Sequence, residues 1–206
     1  MGARCLAELI GGKGVVLETR GSVGSAAAQD RHKGFADEMQ KHPEITVQSL
    51  NTEWIADTAY KMVLDAFTQN PDIKGVFSHN DEIIRGVFSA LRQIGRLVPQ
   101  GAEGHVAIVG LDGTPLALDR IRKGDQDATV AQDPAAMGGD GIFVQIVSNF
   151  EGTQFNNKMR TQPYLINRPE LMTRAIGETR RRKRPIRGSR AILSSAPAAG
   201  RAFPYK

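Results

Sequence analysis

The stretch that most constrains this chain is His105-Val106-Ala107-Ile108-Val109-Gly110-Leu111-Asp112-Gly113-Thr114-Pro115, an apolar run that stops at an acid, a glycine and a proline. A continuous apolar run without alternation marks a strand covered on both faces, and helical patterns before and after it point to a parallel sheet. In such sheets ligands bind beyond the carboxyl ends of the strands, where Asp112 falls. The other apolar runs stop in the same way. Gly14 to Thr19 runs into Gly21-Ser22, Ile45 to Leu50 into Asn51 and Trp54, Gly75 to Ser78 into His79-Asn80-Asp81, and Ala128 to Ala131 into Gln132-Asp133. Five strand ends are therefore expected to deliver polar groups to one rim.

Between these runs the spacing predicts helices. One covers Ala3 to Ile10, and a second is capped by Ser25 and continues to Gln40 with Ala28, Phe35 and Met39 inward. A third starts near Trp54 with the stripe Ala59, Met62, Val63, Ala66 and Phe67, and stops at Asn70-Pro71-Asp72. A fourth runs from Asp81 to Ile94, its acids Asp81 and Glu82 at the positive end of the dipole, with Gly95 as its stop. A short one spans Leu116 to Lys123 before Gly124, and Pro134 opens another with Ile142, Phe143, Ile146, Val147 and Phe150 inside. A last strand is expected at Tyr164 to Asn167. This alternation predicts an α/β chain with a Rossmann-like, doubly wound parallel sheet.

A chain of 206 residues, 40% of them hydrophobic, is enough for one such core. Charge divides it in two. Of 27 Lys and Arg and 22 Asp and Glu, ten basic residues and one acid, Glu178, fall from Thr173 onward. That leaves 17 and 21 for the rest, so the tail carries +9 and the body −4. The expectation is a folded domain over 1–171 and a basic, disordered tail over 172–206, whose run Arg180-Arg181-Arg182-Lys183-Arg184 sits among linker residues that could not offset ordering entropy. A mildly acidic body gives no ground for nucleic-acid binding. The single cysteine, Cys5, allows no internal disulfide. The start of the chain has no signal-peptide pattern and no run approaches the roughly 18 apolar residues of a membrane span, so the chain as given reads as soluble, without membrane insertion, and cytoplasmic.

Several local patterns fail as catalytic or cofactor motifs. Gly21-Ser22-Val23-Gly24 follows a strand and opens a helix, but it matches neither the dinucleotide nor the phosphate-loop fingerprint, and an ordinary glycine turn accounts for it. Leu111-Asp112-Gly113-Thr114 is similar to the end of the haloacid-dehalogenase signature, yet Gly110 stands where the nucleophilic aspartate would be. His32, His42, His79 and His105 fall at no metal-like spacing. No cofactor, no metal and no enzyme activity are expected.

The rim residues fit recognition better than reaction. A sugar presents vicinal hydroxyls that donate and accept, plus an apolar ring face, so its pocket calls for carboxylate and amide groups, a guanidinium fork and an aromatic plate. Asp112, Asn80, Gln132, Arg31 and Trp54 supply that set. Each also has a plainer role open to it: Asp112 or Asn80 capping the next helix, Trp54 in the core, Arg31 as a surface charge.

Four stretches resemble the type I periplasmic sugar-binding proteins of ABC importers, the ribose- and galactose-binding-protein-like family. They are GxxGSxxxxxRxxGF at Gly21 to Phe35, NPDIKGVFSHNDE at Asn70 to Glu82, VAIVGLDGTPLAL at Val106 to Leu118 and GDQDATVAQDP at Gly124 to Pro134. The resemblance spans about Met1 to Leu171. It implies that Arg31, Asn80, Asp112 and Gln132 contact a monosaccharide and that Trp54 stacks on it. It further implies a periplasmic location, an ABC permease as partner and a monomer. The matched region corresponds mainly to the C-terminal lobe of a two-lobed protein, so the N-terminal lobe is expected to be largely missing. The helix from Pro134 and the strand at Tyr164 are expected to belong to that other lobe. Two alternatives remain at this point: the ligand-sensing domain of a lactose-repressor-like regulator, disfavoured by Asp112-Gly113 where an Asp-Asp pair is commoner, and a sugar-acting enzyme.

Overall fold

The structure, a computed structural model, describes residues 1–135, 137–138, 162–169 and 171. In chain order it contains α1 (Gly2–Leu9), β1 (Gly14–Arg20), α2 (Ala26–Met39), β2 (Ile45–Asn51), α3 (Ala56–Gln69), β3 (Ile73–Ser78), α4 (Ile83–Gln93), β4 (Ala107–Asp112), α5 (Pro115–Lys123), β5 (Ala128–Ala131) and β6 (Tyr164–Asn167). The strands form one sheet in the order β2-β1-β3-β4-β5-β6. Pairings from β2 to β5 are parallel, in register at Thr19 opposite Leu50 and Ser78, Phe77 opposite Val109, and Asp112 opposite Ala131. All five strands therefore end on one rim, as the sequence predicts.

The apolar runs lack alternation because both faces of the sheet are covered. Successive side chains on a strand point to opposite faces. Leu17, Val76 and Ile108 enter a core with Val63, Phe67, Val87 and Leu91 of α3 and α4. Their neighbours Val16, Phe77 and Val109 enter a second core with Leu6, Phe35 and Met39 of α1 and α2. Phe35 stacks on Phe77, ring centroids 4.6 Å apart. Each apolar doublet in the sequence thus serves two layers, which is the doubly wound arrangement.

β6 departs from expectation. It pairs antiparallel with β5, Ala128 opposite Asn167 and Ala131 opposite Tyr164, rather than belonging to another lobe's sheet. The physical reason is the edge: without β6, the outer N–H and C=O groups of β5 would be unpaired. The expected inward positions Ile142, Phe143, Ile146, Val147 and Phe150, and the tail from Thr173, lie outside the described residues.

Helix starts were less legible than strand ends. Ser25 occupies the N-cap of α2, but its side chain makes no capping hydrogen bond. α3 begins at Ala56 rather than near Trp54, because Glu53 and Trp54 take left-handed backbone angles, φ 55° and 66°, in the turn before it. α4 begins at Ile83. Asp81 does not serve its dipole; its buried carboxylate accepts from the Thr114 backbone N–H at 2.9 Å and from Thr129 Oγ1 at 3.0 Å, tying β3, α5 and β5 together. Gly95 and Gly124 terminate α4 and α5 as expected.

Glu38 joins the first two helices. It accepts from Arg4 Nε of α1 at 3.1 Å and from Lys41 Nζ at 2.9 Å. These charge-assisted bonds, that from Arg4 foremost, lower its pKa from 4.5 to about 2. A carboxylate whose folded pKa is depressed contributes stability that is complete above its unfolded value and is lost as pH falls through the folded value. The melting temperature should therefore decline between pH 4.5 and about 2, and the decline should be shallower in Glu38→Gln. Parallel wild-type and variant curves in thermal melts across that window would refute the assignment.

Candidate functional site

The rim assembles from the chain outward from Asp112. The residue ends β4 with φ 108°, a strained region for a side chain-bearing residue, and strain of this kind persists only where surrounding structure over-determines it. Its carboxylate accepts from Gln132 Nε2, just beyond β5, at 2.7 Å. Arg31 Nη2, on the second turn of α2, stands 3.5 Å from the same oxygen, Oδ1. Burial pushes the Asp112 carboxyl above its ordinary value, while Arg31 and Gln132 pull it back. The helix-capping role open to Asp112 is taken by Thr114, whose side chain accepts from the Ala117 N–H at 3.3 Å. Asp112 is thus left facing the rim, its side chain 34% exposed.

Arg31 is no loose surface charge. Besides Asp112 it donates through Nη1 to the carbonyl of His79, and its guanidinium lies 5.5 Å from the centroid of the Trp54 ring. Trp54 is half-buried rather than core. Its indole lies across the end of β1, where Gly21 makes room: a Cβ at Gly21 would fall 2.1 Å from the indole carbons. Arg31, Trp54, Asp112 and Gln132 therefore form one contiguous polar and aromatic surface. Asn80 stands at the same rim, one residue after His79, but its side chain is engaged locally: its Oδ1 accepts from the Ile83 N–H at 2.8 Å and caps α4. The capping role open to Asn80 is real, and its amide N–H groups remain for a ligand.

A cluster behind this surface escaped the sequence reading. Glu18, fully buried in the middle of β1, accepts from Ser49 Oγ at 2.6 Å and contacts His32 Nδ1 at 2.9 Å and His79 Nε2 at 2.9 Å. A signal was available: a carboxylate inside an otherwise buried strand is costly unless it is hydrogen-bonded, so Glu18 had to have partners. A concavity of about 600 Å³ lined by Leu9, Ile73, Lys74, Arg96, His105 and Ala107 opens elsewhere, at the amino ends of β3 and β4. Among the described residues the rim forms one wall, with the Arg31 and Asp112 side chains partly exposed.

A family model described as a periplasmic binding protein domain matches residues 1–144. The chain belongs to this family. Among curated relatives, it is 30% identical over 129 residues to the ribose import binding protein of Salmonella typhimurium, covering 63% of this chain and 41% of that protein. It is 30% identical over 143 residues to the D-allose-binding periplasmic protein of Escherichia coli, covering 69% of this chain and 43% of that protein. The chain thus spans about two fifths of the length of these relatives. Among solved structures, an ABC transporter solute binding protein from Agrobacterium vitis bound with alpha-D-tagatopyranose superposes with a TM-score of 0.74 at 29% identity, covering 86% of this chain and 57% of that one. Sheet order, rim and family membership agree on a type I periplasmic sugar-binding-protein fold.

Proposed function

We propose that the rim formed by Arg31, Trp54, Asn80, Asp112 and Gln132 binds a monosaccharide as one wall of a two-lobed cleft, in a protein that captures sugar in the periplasm for an ABC permease. The observation that carries this reading is the contact set on Asp112. The Asp112 carboxyl is met by the Gln132 amide at 2.7 Å and by the Arg31 guanidinium at 3.5 Å, beside an indole plate. Two neighbouring hydroxyls can bridge the carboxylate and the fork while the apolar ring face lies on Trp54. The relatives named above are binding proteins by name, and the described rim residues serve recognition, which supports capture as the role. The reading also fits 1–171 as the sugar-binding domain and 172–206 as a separate basic tail.

The test is calorimetric titration with a panel of aldoses after an N-terminal lobe from a relative has been joined to the chain. Removing one partner of a hydrogen bond to a charged group costs about 1.5–3 kcal/mol, so Asp112→Ala and Arg31→Ala should each weaken the best sugar by roughly ten- to hundredfold. Undiminished affinity in both variants would overturn the site.

A further inference from the structure

Glu18, His79 and His32 explain why the wall has its shape. His79 is fully buried at the end of β3. Its Nδ1 accepts from the Gly21 N–H at 3.3 Å, which leaves Nε2 to carry the proton donated to Glu18 Oε1 at 2.9 Å. Its backbone carbonyl receives Arg31 Nη1, and its ring centroid lies 6.3 Å from that of Trp54. His32, adjacent to Arg31 on α2, spans both Glu18 oxygens at 2.9 and 3.0 Å. One carboxylate thus fixes three separate segments: the β1 terminus that carries Gly21 under the indole, the β3 terminus that holds Arg31, and the turn of α2 from which Arg31 projects.

We propose that Glu18 is the positioning residue of the sugar wall, setting Arg31 and Trp54 through His79 and His32 without itself meeting the ligand. The inference rests on the sugar-binding reading for its purpose, but its geometry stands apart from it. Burial drives the Glu18 carboxyl up, yet the bonds from His79, Ser49 and His32 outweigh burial and hold it below its ordinary value, so it is the ionised form that organises the cluster. An amide in its place cannot accept from three donors with both atoms.

Trp54 is the chain's only tryptophan, so its emission reports the wall with no sugar present. In the 206-residue chain, Glu18→Gln is expected to shift the emission maximum of Trp54 and raise its quenching by acrylamide while far-UV dichroism and a cooperative melt are retained. Glu38→Gln, at the α1–α2 joint, is the control and leaves the emission unchanged. A folded Glu18→Gln with wild-type emission and quenching overturns the proposal. Should Glu18→Gln not fold, His32→Gln carries the same test from a side chain that is 37% exposed, and unaltered Trp54 quenching there overturns it equally. With the second lobe joined, Glu18→Gln should also weaken sugar binding by about tenfold. Absence of sugar binding by the wild-type chain with the second lobe joined defeats the sugar-binding reading and leaves the fluorescence outcome to decide the role of Glu18.

Discussion

Gly86→Ala is expected to unfold the domain or to leave it the least stable single variant at any helix surface. Gly86 lies on α4 where α3 crosses it. A Cβ there would stand 1.9 Å from the Ala56 carbonyl oxygen and 2.8 Å from both the Ala56 carbon and the Tyr60 nitrogen. These are backbone atoms in the first turns of α3, so no rotamer change relieves the clash and the helices must separate. Separation opens the layer in which Val63, Ala66 and Phe67 meet Val87, Ala90 and Leu91 over Val76 and Ile108. Alanine's helix propensity returns only about 1 kcal/mol relative to glycine. Overpacking against movable side chains costs about 1–3 kcal/mol, and against fixed backbone it should exceed that range. Gly34→Ala in α2 is the matched control: nothing lies within 4 Å of its added methyl, so it should gain up to about 1 kcal/mol. Urea unfolding of the two variants side by side decides the matter, and a Gly86→Ala midpoint equal to wild type would mean that the two helices do not approach as described.

That contrast also shows where the sequence is legible. Strands could be read where burial on both faces leaves an unbroken record, as at Ala128–Ala131, buried at all four positions; the half-buried Tyr164–Asn167 also falls at the expected residues. Their pairing could not be read for β6, because a four-residue strand carries no mark of direction or partner. The rim positions of Trp54, Asn80, Asp112 and Gln132 were legible because parallel strands in register deliver their termini together, whereas Arg31 reaches the same rim from the second turn of α2. Their supports were not. Glu18 meets partners 14, 31 and 61 positions away, and only the folded topology brings those together. The left-handed angles at Trp54 and Asp112 were equally hidden, because neither is a glycine and local propensity argues against both. What forces them is tertiary: Gly21 and Arg31 enclose Trp54, and Gln132 and Arg31 hold Asp112.

Titrated by itself with aldoses, the 206-residue polypeptide is expected to bind with a Kd in the millimolar range or weaker. Among the described residues the rim offers one wall, with the Asp112 side chain 34% exposed. Every hydrogen bond a sugar makes there competes with water and contributes about 0.5–1.5 kcal/mol net, or up to about 3 where charged. Stacking on Trp54 adds to this, while immobilising the ligand costs several kcal/mol. A millimolar Kd corresponds to about −4 kcal/mol, which is what a few such contacts leave after that cost. Two-lobed binding proteins escape this limit by hinge closure. A second wall supplies the remaining partners and excludes water, and in the lower local dielectric the bonds to Asp112 and Arg31 strengthen. Joining an N-terminal lobe should therefore bring the best aldose to micromolar affinity or tighter, a gain of about a thousandfold or 4 kcal/mol. Submicromolar binding by the 206 residues alone would show that one wall suffices, and the enclosure argument would fall with it. If affinity instead rises on joining the lobe and falls again with Asp112→Ala, the energy comes from bonds that were already positioned at the rim and only lacked shelter from water.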